Sequence, residues 1–243
     1  MAGALIHLAM GNPEKMGNPE HMTSKNCAYV IGILLPDIAK SDFIKTKEDF
    51  DRLFLNYDKD DICTYEEYME YCKDPHFTGN KRWTNNPNLT KFFECSFVDI
   101  KKPIWQGVLC HITGDKNFYY GDYCVNDSQI REDFKNEGLE DEQWRESQTA
   151  QTLYGEDGDY NLLNQSIEDE FDVLRFLPPE LREKFGIGFS KSEKKPKYMN
   201  LENIRKCIYK TRELCEFGEN GDTAKFLEFY NESLEKECVD LTR

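Results

Sequence analysis

The stretch Gly107-Val-Leu-Cys-His-Ile-Thr-Gly-Asp-Lys-Asn-Phe-Tyr-Tyr120 decides how the chain folds around it. At 3.6 residues per turn, Ile104, Val108, His111, Asp115 and Phe118 share one helix face. That face is apolar at both ends and carries an imidazole and a carboxylate in its middle. His111 and Asp115 are four residues apart, so their side chains project one above the other and can converge on one cation. The plainer alternative is a core histidine hydrogen-bonded to its own i+4 aspartate. Gly107 and Gly114 lie near this face. Each costs roughly 1 kcal/mol in a helix interior, so the close approach of a neighbouring helix has to offset them.

Around this stretch the chain reads as helices. Residues 3–10 form a short apolar helix carrying His7. A small tandem follows, Gly11-Asn-Pro-Glu14 and Gly17-Asn-Pro-Glu20, in which each Gly-Asn-Pro signals a turn. His21, at its end, is expected at the surface. Asn26 to Leu35 is an almost unbroken apolar run ending at Pro36-Asp37. No convincing strand exists to pair with it, so a buried helix is the better reading. Asp37 then sits at the rim of the core, either capping the next turn or facing a metal.

Residues 41–72 are amphipathic, with Phe43, Phe50, Leu53, Phe54, Tyr65, Tyr68 and Met69 on the apolar side. Between them, Asn56 to Glu67 places oxygen ligands at positions 1, 3, 5, 9 and 12 of a calcium-loop template, but Asp61 stands where glycine makes the sharp turn. An acidic helix-loop-helix is expected there, and calcium binding is a secondary reading. His76 lies in a loop, Lys73-Asp-Pro-His-Phe-Thr-Gly-Asn80, that can aim its side chain inward. Residues 88–98 and 103–120 read as helices split by Lys101-Lys-Pro103. From 128 to 175 the chain is polar and acidic with a thin apolar stripe, and Leu177-Pro-Pro-Glu-Leu181 breaks it. A basic connection over 186–197 leads to a helical hairpin, 200–217 and 222–239, with Asp222 or Thr223 as N-cap. The expected organisation is a metal-binding helical core over 1–125 and a helical extension over 126–243 packed on it.

The chain's 243 residues, 39% of them hydrophobic and 13% aromatic, suffice for one large domain. A net charge of −15 repels phosphate backbones and anionic lipid, which excludes nucleic-acid coating and durable adsorption to membranes. Nine cysteines without a C-x-x-C spacing give no zinc ribbon or redox motif. No stretch approaches the ~20 apolar residues of a membrane helix, and the first residues lack a basic region ahead of a long apolar core. A cytoplasmic protein with reduced thiols and no stable membrane insertion is expected.

Taken in order, His7, Pro36-Asp37, His76-Phe77 and His111-x-x-x-Asp115 resemble the zinc-dependent phospholipase C family and its bacterial relatives. That family shows an N-terminal histidine, an apolar run ending in Pro-Asp, a His-Phe in a loop and an H-x-x-x-D helix. The resemblance covers roughly residues 1–125. It implies an all-α multi-helix bundle of the phospholipase C and nuclease type. It also implies one zinc held by Asp37, His76, His111 and Asp115, and a second zinc held by His7 with Asp115 as the bridge. Asp37 is then the general base, and the substrate is a phosphoester small molecule or a phospholipid headgroup. The chain departs from its secreted members in having no histidine after His111, so their third metal cluster is not built in the same way. Asp122 is the one nearby carboxylate that can replace a ligand if the helix runs past Gly121. One or two zinc ions and phosphoric-ester hydrolysis are therefore expected. The competing readings are a non-catalytic helical scaffold with a degenerate zinc site and a calcium-binding acidic interaction protein.

Overall fold

The computed structural model describes residues 4–18, 20–40, 43–79, 87–120 and 201–235, and every regular element among them is a helix. In chain order these are α1 (Ala4–Met10), α2 (Pro13–Met16), α3 (Ser24–Lys40), α4 (Lys47–Leu53), α5 (Tyr65–Tyr71), α6 (Leu89–Glu94), α7 (Pro103–Tyr120), α8 (Leu201–Glu219) and α9 (Thr223–Glu235). Among the described residues the fold is all-α, as the sequence pattern implies. The acidic stretch over 128–175, the break at 177–181, the connection over 186–197 and Asp122 lie outside the described residues.

Helix α7 starts where Pro103, which has no N–H to lose, occupies the first turn. Its Ile104 amide is taken by the Asp61 carbonyl at 3.2 Å. The sequence suggests a helix with one apolar face, but from Ile104 to Asn117 only Gln106 and Lys116 are more than slightly exposed. A helix surrounded on all sides forms the centre of a core. Helices α1, α3, α6 and α8 pack around α7.

The closest of these packings is with α3. A Cβ placed on Gly32 would lie 2.1 Å from the Ile104 carbonyl oxygen, and one on Gly107 would lie 2.2 Å from that of Tyr29. The two glycines therefore let one helix backbone rest on the other. Ala28 to Pro36 fill the buried stretch of α3 and account for its long apolar run. The helix does not stop at Pro36, however. Pro36 lies inside α3, which continues to Lys40. The missing proline N–H leaves the Gly32 carbonyl without its usual intrahelical donor, a local loosening that tertiary packing tolerates. Asp37 is consequently an interior helix residue and not a cap.

Other boundaries follow local chemistry. In the first Gly-Asn-Pro-Glu copy Asn12 caps α2 by accepting from the Glu14 amide, and Pro13 begins the helix; the copy starts a helix and does more than turn the chain. Residues 88–98 give only the short α6, capped by Asn88. Between α4 and α5 lies the expected helix-loop-helix, with Met69 of α5 turned outward at 46% exposure. Asp222 accepts from the Lys225 amide at 3.2 Å and caps α9, closing the hairpin of α8 and α9. This hairpin packs on α7, with Asn117 donating to Thr211 at 3.1 Å and Lys116 lying 4.6 Å from the Tyr230 ring centroid.

Gly32→Ala should destabilise the protein strongly, because the nearest atoms are backbone and cannot swing away. Overpacking of this kind costs about 3 kcal/mol or more. At Gly221, by contrast, nothing lies within 4 Å of an added Cβ and φ is +79°, so Gly221→Ala should cost only the left-handed penalty of about 1–2 kcal/mol. Urea unfolding of the two variants should separate them clearly, and equal midpoints would contradict the backbone contact.

Candidate metal centre

Helix α7 carries His111 and Asp115 into the middle of the core, and both are fully buried. The α3–α7 contact fixes the first of them. His111 Nδ1 lies 2.7 Å from the Ile33 carbonyl oxygen, and a carbonyl only accepts, so Nδ1 must carry the proton. In the neutral ring Nε2 is then a bare lone pair, the orientation of a histidine ligand held by a backbone carbonyl behind it. Gly114, one turn from Cys110 on the same helix, makes room for α1. A Cβ there would lie 2.5 Å from Met10 Sδ and 3.4 Å from His7 Nδ1. His7 enters that space and stacks on His111, ring centroids 3.6 Å apart and 14° from parallel.

His76 arrives from the loop after α5. Asp74 braces this loop by accepting from the Thr78 and Gly79 amides, both at 2.8 Å, and from Lys91 Nζ at 2.7 Å. Phe77 adopts φ +53°, a region that a bulky side chain rarely visits. Burial of its ring against Phe92 at 5.2 Å helps to hold this strained conformation. The outcome is that His76 turns inward, 4% exposed, with its ring edge-on to His111 at 5.2 Å.

Around Asp115 the three imidazoles are arranged asymmetrically. Oδ1 faces His7 Nε2 at 3.3 Å, while Oδ2 faces His76 Nε2 at 3.5 Å and His111 Nε2 at 3.6 Å. These separations are long for hydrogen bonds. They match the edge of a tetrahedron of ligands about 2.0–2.1 Å from one zinc-sized cation, which is ~3.3 Å. Asp37 joins from α3. Ligand atoms of His7, His111 and Asp115 all lie within 4.8 Å of one another, and so do those of Asp37, His76 and His111. All five residues singled out in the sequence are thus brought together, in two groups sharing His111, and these groups could hold a metal ion. His21 is exposed and takes no part.

The electrostatics suit a cation. Burial pushes the His7 imidazole below its ordinary pKa, helped by the adjacent His111, against the opposing pull of Asp115. Burial likewise holds His76 well below the usual value. Burial works to raise the Asp115 carboxyl, but the His7 charge and the close contacts of His111 and His7 outweigh it and hold the group well below the carboxylate range. The ring nitrogens of His7 and His76, Nε2 of His111 and Oδ1 of Asp37 are buried and make no hydrogen bond among the described residues. Buried polar atoms are almost always hydrogen-bonded. Here several of the exceptions are gathered at one point.

Comparison with models of protein families, with curated proteins and with solved structures gave no match. The chemistry of the site therefore rests on its own geometry.

The calcium-loop residues are occupied differently. Thr64 and Glu67 form a reciprocal capping box at the start of α5, with Glu67 Oε2 accepting from the Thr64 amide at 2.7 Å. Among the described residues, no three His, Cys, Asp or Glu ligand atoms of that loop converge. The described cysteines, Cys27, Cys63, Cys72, Cys95, Cys110, Cys207 and Cys215, are all free thiols and belong to neither group. Sequence reasoning missed the Ile33 carbonyl behind His111. Local sequence carries no signal for a contact between two separate helices.

The imidazole shifts set a pH dependence. Unfolded, His7 and His76 take up protons near their ordinary value of 6.5, whereas the folded protein keeps them neutral to lower pH. The unfolded state thus binds more protons below that value, and stability of metal-stripped protein should fall as the pH drops through it. The slope is up to about 1.4 kcal/mol per pH unit for each imidazole. Asp115 adds a loss of the same sign once the pH falls below its ordinary 3.8. Urea unfolding between about pH 7.5 and 5.5 measures the first effect, and a flat profile would contradict neutral, buried rings.

Proposed function

We propose that the cluster holds one or two zinc ions and that the protein is a zinc-dependent phosphoric-ester hydrolase, with Asp37 as general base. The observation that carries this reading is the spread of His7, His76 and His111 Nε2 atoms at 3.3–3.6 Å around the Asp115 carboxylate, all four residues being buried. Unprotonated imidazole nitrogens that close to a carboxylate repel it unless a cation or proton lies between them. Imidazole and carboxylate are the ligands zinc takes. The same residues in the same order carry the resemblance to zinc-dependent phospholipases C, and a fold of that type is part of the proposal.

Asp115 turns one oxygen toward His7 and the other toward His76 and His111. That suits a carboxylate bridging two ions, one on each side. Bound zinc would supply Lewis-acid polarisation of a phosphoryl oxygen and a nucleophile available near neutral pH. The protein supplies the rest. His111 is oriented from behind by the Ile33 carbonyl, and His76 by its braced loop. Asp37 alone of the five is partly exposed, so substrate approaches from its side. There it can take the proton of an attacking water. Lys40, one turn further along α3, acts on His76 with its positive charge. In a chain of net charge −15, a cation at this opening favours a phosphate-bearing small molecule or headgroup as substrate.

Two experiments test the reading. His111→Ala and Asp115→Asn should each lose bound zinc, measured by elemental mass spectrometry on protein purified without chelator. Full metal content in both would place any metal elsewhere. Asp37→Asn keeps the shape of the side chain and should retain at least one zinc, yet lose about 10²–10⁴-fold in phosphodiester turnover. Zinc in the parent with no turnover across several phosphoester classes would leave a structural metal site and a scaffold.

A further inference from the structure

Helix α1 has seven residues and carries His7. A helix that short does not hold its own shape in water, so what packs on it decides where His7 stands. Its C-terminal end is hard to satisfy. The Gly11 amide donates to the Leu8 carbonyl at 3.0 Å, but the next carbonyl, that of Ala9, would need the amide of residue 13. That residue is Pro13, which has no N–H. Instead Arg212 of α8 donates from Nη2 to the Ala9 carbonyl oxygen at 2.7 Å. A guanidinium suits this place, where the carbonyl end of a helix gathers partial negative charge.

The residue before Arg212 grips α7. Thr211 is fully buried, and its hydroxyl accepts from Asn117 Nδ2 at 3.1 Å and donates to the Cys207 carbonyl at 2.9 Å. Asn117 lies two residues past Asp115, and Ala9 two residues past His7. Consecutive residues of α8 thus bind the two helices that supply His7, His111 and Asp115, the fully buried group of the metal centre. The fit between those helices leaves little play. His7 Nδ1 lies 3.4 Å from the position of a Cβ on Gly114, and its ring stacks on His111 at 3.6 Å. Helix α8 is tied down again at its far end, where Glu219 pairs with Lys15, which also donates to Gln106 of α7 at 2.9 Å.

We propose that Arg212 is a positioning residue of the metal centre: it fixes the end of α1 so that the His7 imidazole meets Asp115 and the ion between them. The inference rests on the metal-holding reading above. It gives the C-terminal hairpin a role at the site, since a residue 203 positions from Ala9 sets where one ligand stands.

Arg212→Met is the test, because it keeps much of the stem and removes the guanidinium. Zinc affinity of the full chain, measured by competition with a chromogenic chelator well below the thermal midpoint, should weaken about tenfold, the lower end of what losing a group that holds a ligand costs. His7→Ala should weaken it as well. Adding Arg212→Met to His7→Ala should cost nothing further, because both act through one ligand. Arg212→Lys, which keeps one charged donor on a long stem, should retain most of the affinity. In metal-free protein the His7 ring protons, shielded by the stacked His111 ring, should move downfield in the NMR spectrum of Arg212→Met. A merely structural arginine lowers the thermal midpoint and leaves both zinc affinity and the His7 resonances of the folded variant unchanged. That result would overturn the inference and leave the metal centre standing. An equal loss of affinity with and without His7 would overturn it too. Should Arg212→Met fail to fold, Arg212→Gln, with a neutral donor on a shorter stem, is read against the same outcomes. A parent that holds no zinc removes the metal reading and this inference with it.

Discussion

The contact of α3 with α7 through Gly32 and Gly107 is the constraint on which the rest of the described structure depends. Packed helices ordinarily stand 8–10 Å apart, at a distance set by the side chains between them. Here carbonyl oxygens occupy the positions that Cβ atoms would take, at 2.1 and 2.2 Å. Only at this spacing does His111 on one helix reach the Ile33 carbonyl on the other at 2.7 Å. Asp37 lies one turn beyond Ile33, so the same contact sets where the second carboxylate stands relative to His111. The cost of two glycines in helix interiors is offset by the burial of both helices along this seam.

Polar atoms at the centre of a core are costly, and this protein concentrates them. Three imidazoles and two carboxylates meet at one point, beside a phenylalanine held at φ +53°. Neither feature stabilises a fold by itself. Strain and unsatisfied polar groups persist only where the surrounding packing over-determines them, and they gather at functional sites. The surroundings here are of that kind: the Asp74-braced loop, the stacked His7 and His111 rings, and the glycine seam.

Much of this was legible in the sequence, for reasons particular to each residue. The His111 and Asp115 pair was readable because helical spacing alone puts them on one face, and Gly107 and Gly114 flagged close neighbours on the same helix. His76 was readable because Pro75 and Gly79 mark a loop. The course of α3 past Pro36 was not, since a proline normally ends a helix and only the packing of Ile38 and its neighbours carries the chain through. The burial of α7 on all sides was hidden too. Its outer face depends on α8, which follows it in sequence by eighty residues or more, and local periodicity carries no information about so distant a partner. The calcium-loop pattern shows the reverse failure. Thr64 and Glu67 sit at ligand positions in the template, yet the same two residue types three apart are a helix start signal, and that local use is the one the structure makes of them.

The ligands come from α1, α3, the loop after α5 and α7, so no short segment of the unfolded chain presents them together. A cation that needs all of them binds the folded state and not the unfolded one, and its binding free energy adds to stability. Without it, the core must hold a carboxylate among imidazoles, with burial keeping those of His7 and His76 neutral and their lone pairs directed at negative charge. With it, the same lone pairs become attractive, and the arrangement that strains the core becomes one that stabilises it. The charge logic of the site therefore runs through the fold: the glycine seam that makes the cluster possible is stabilised in turn by whatever neutralises Asp115.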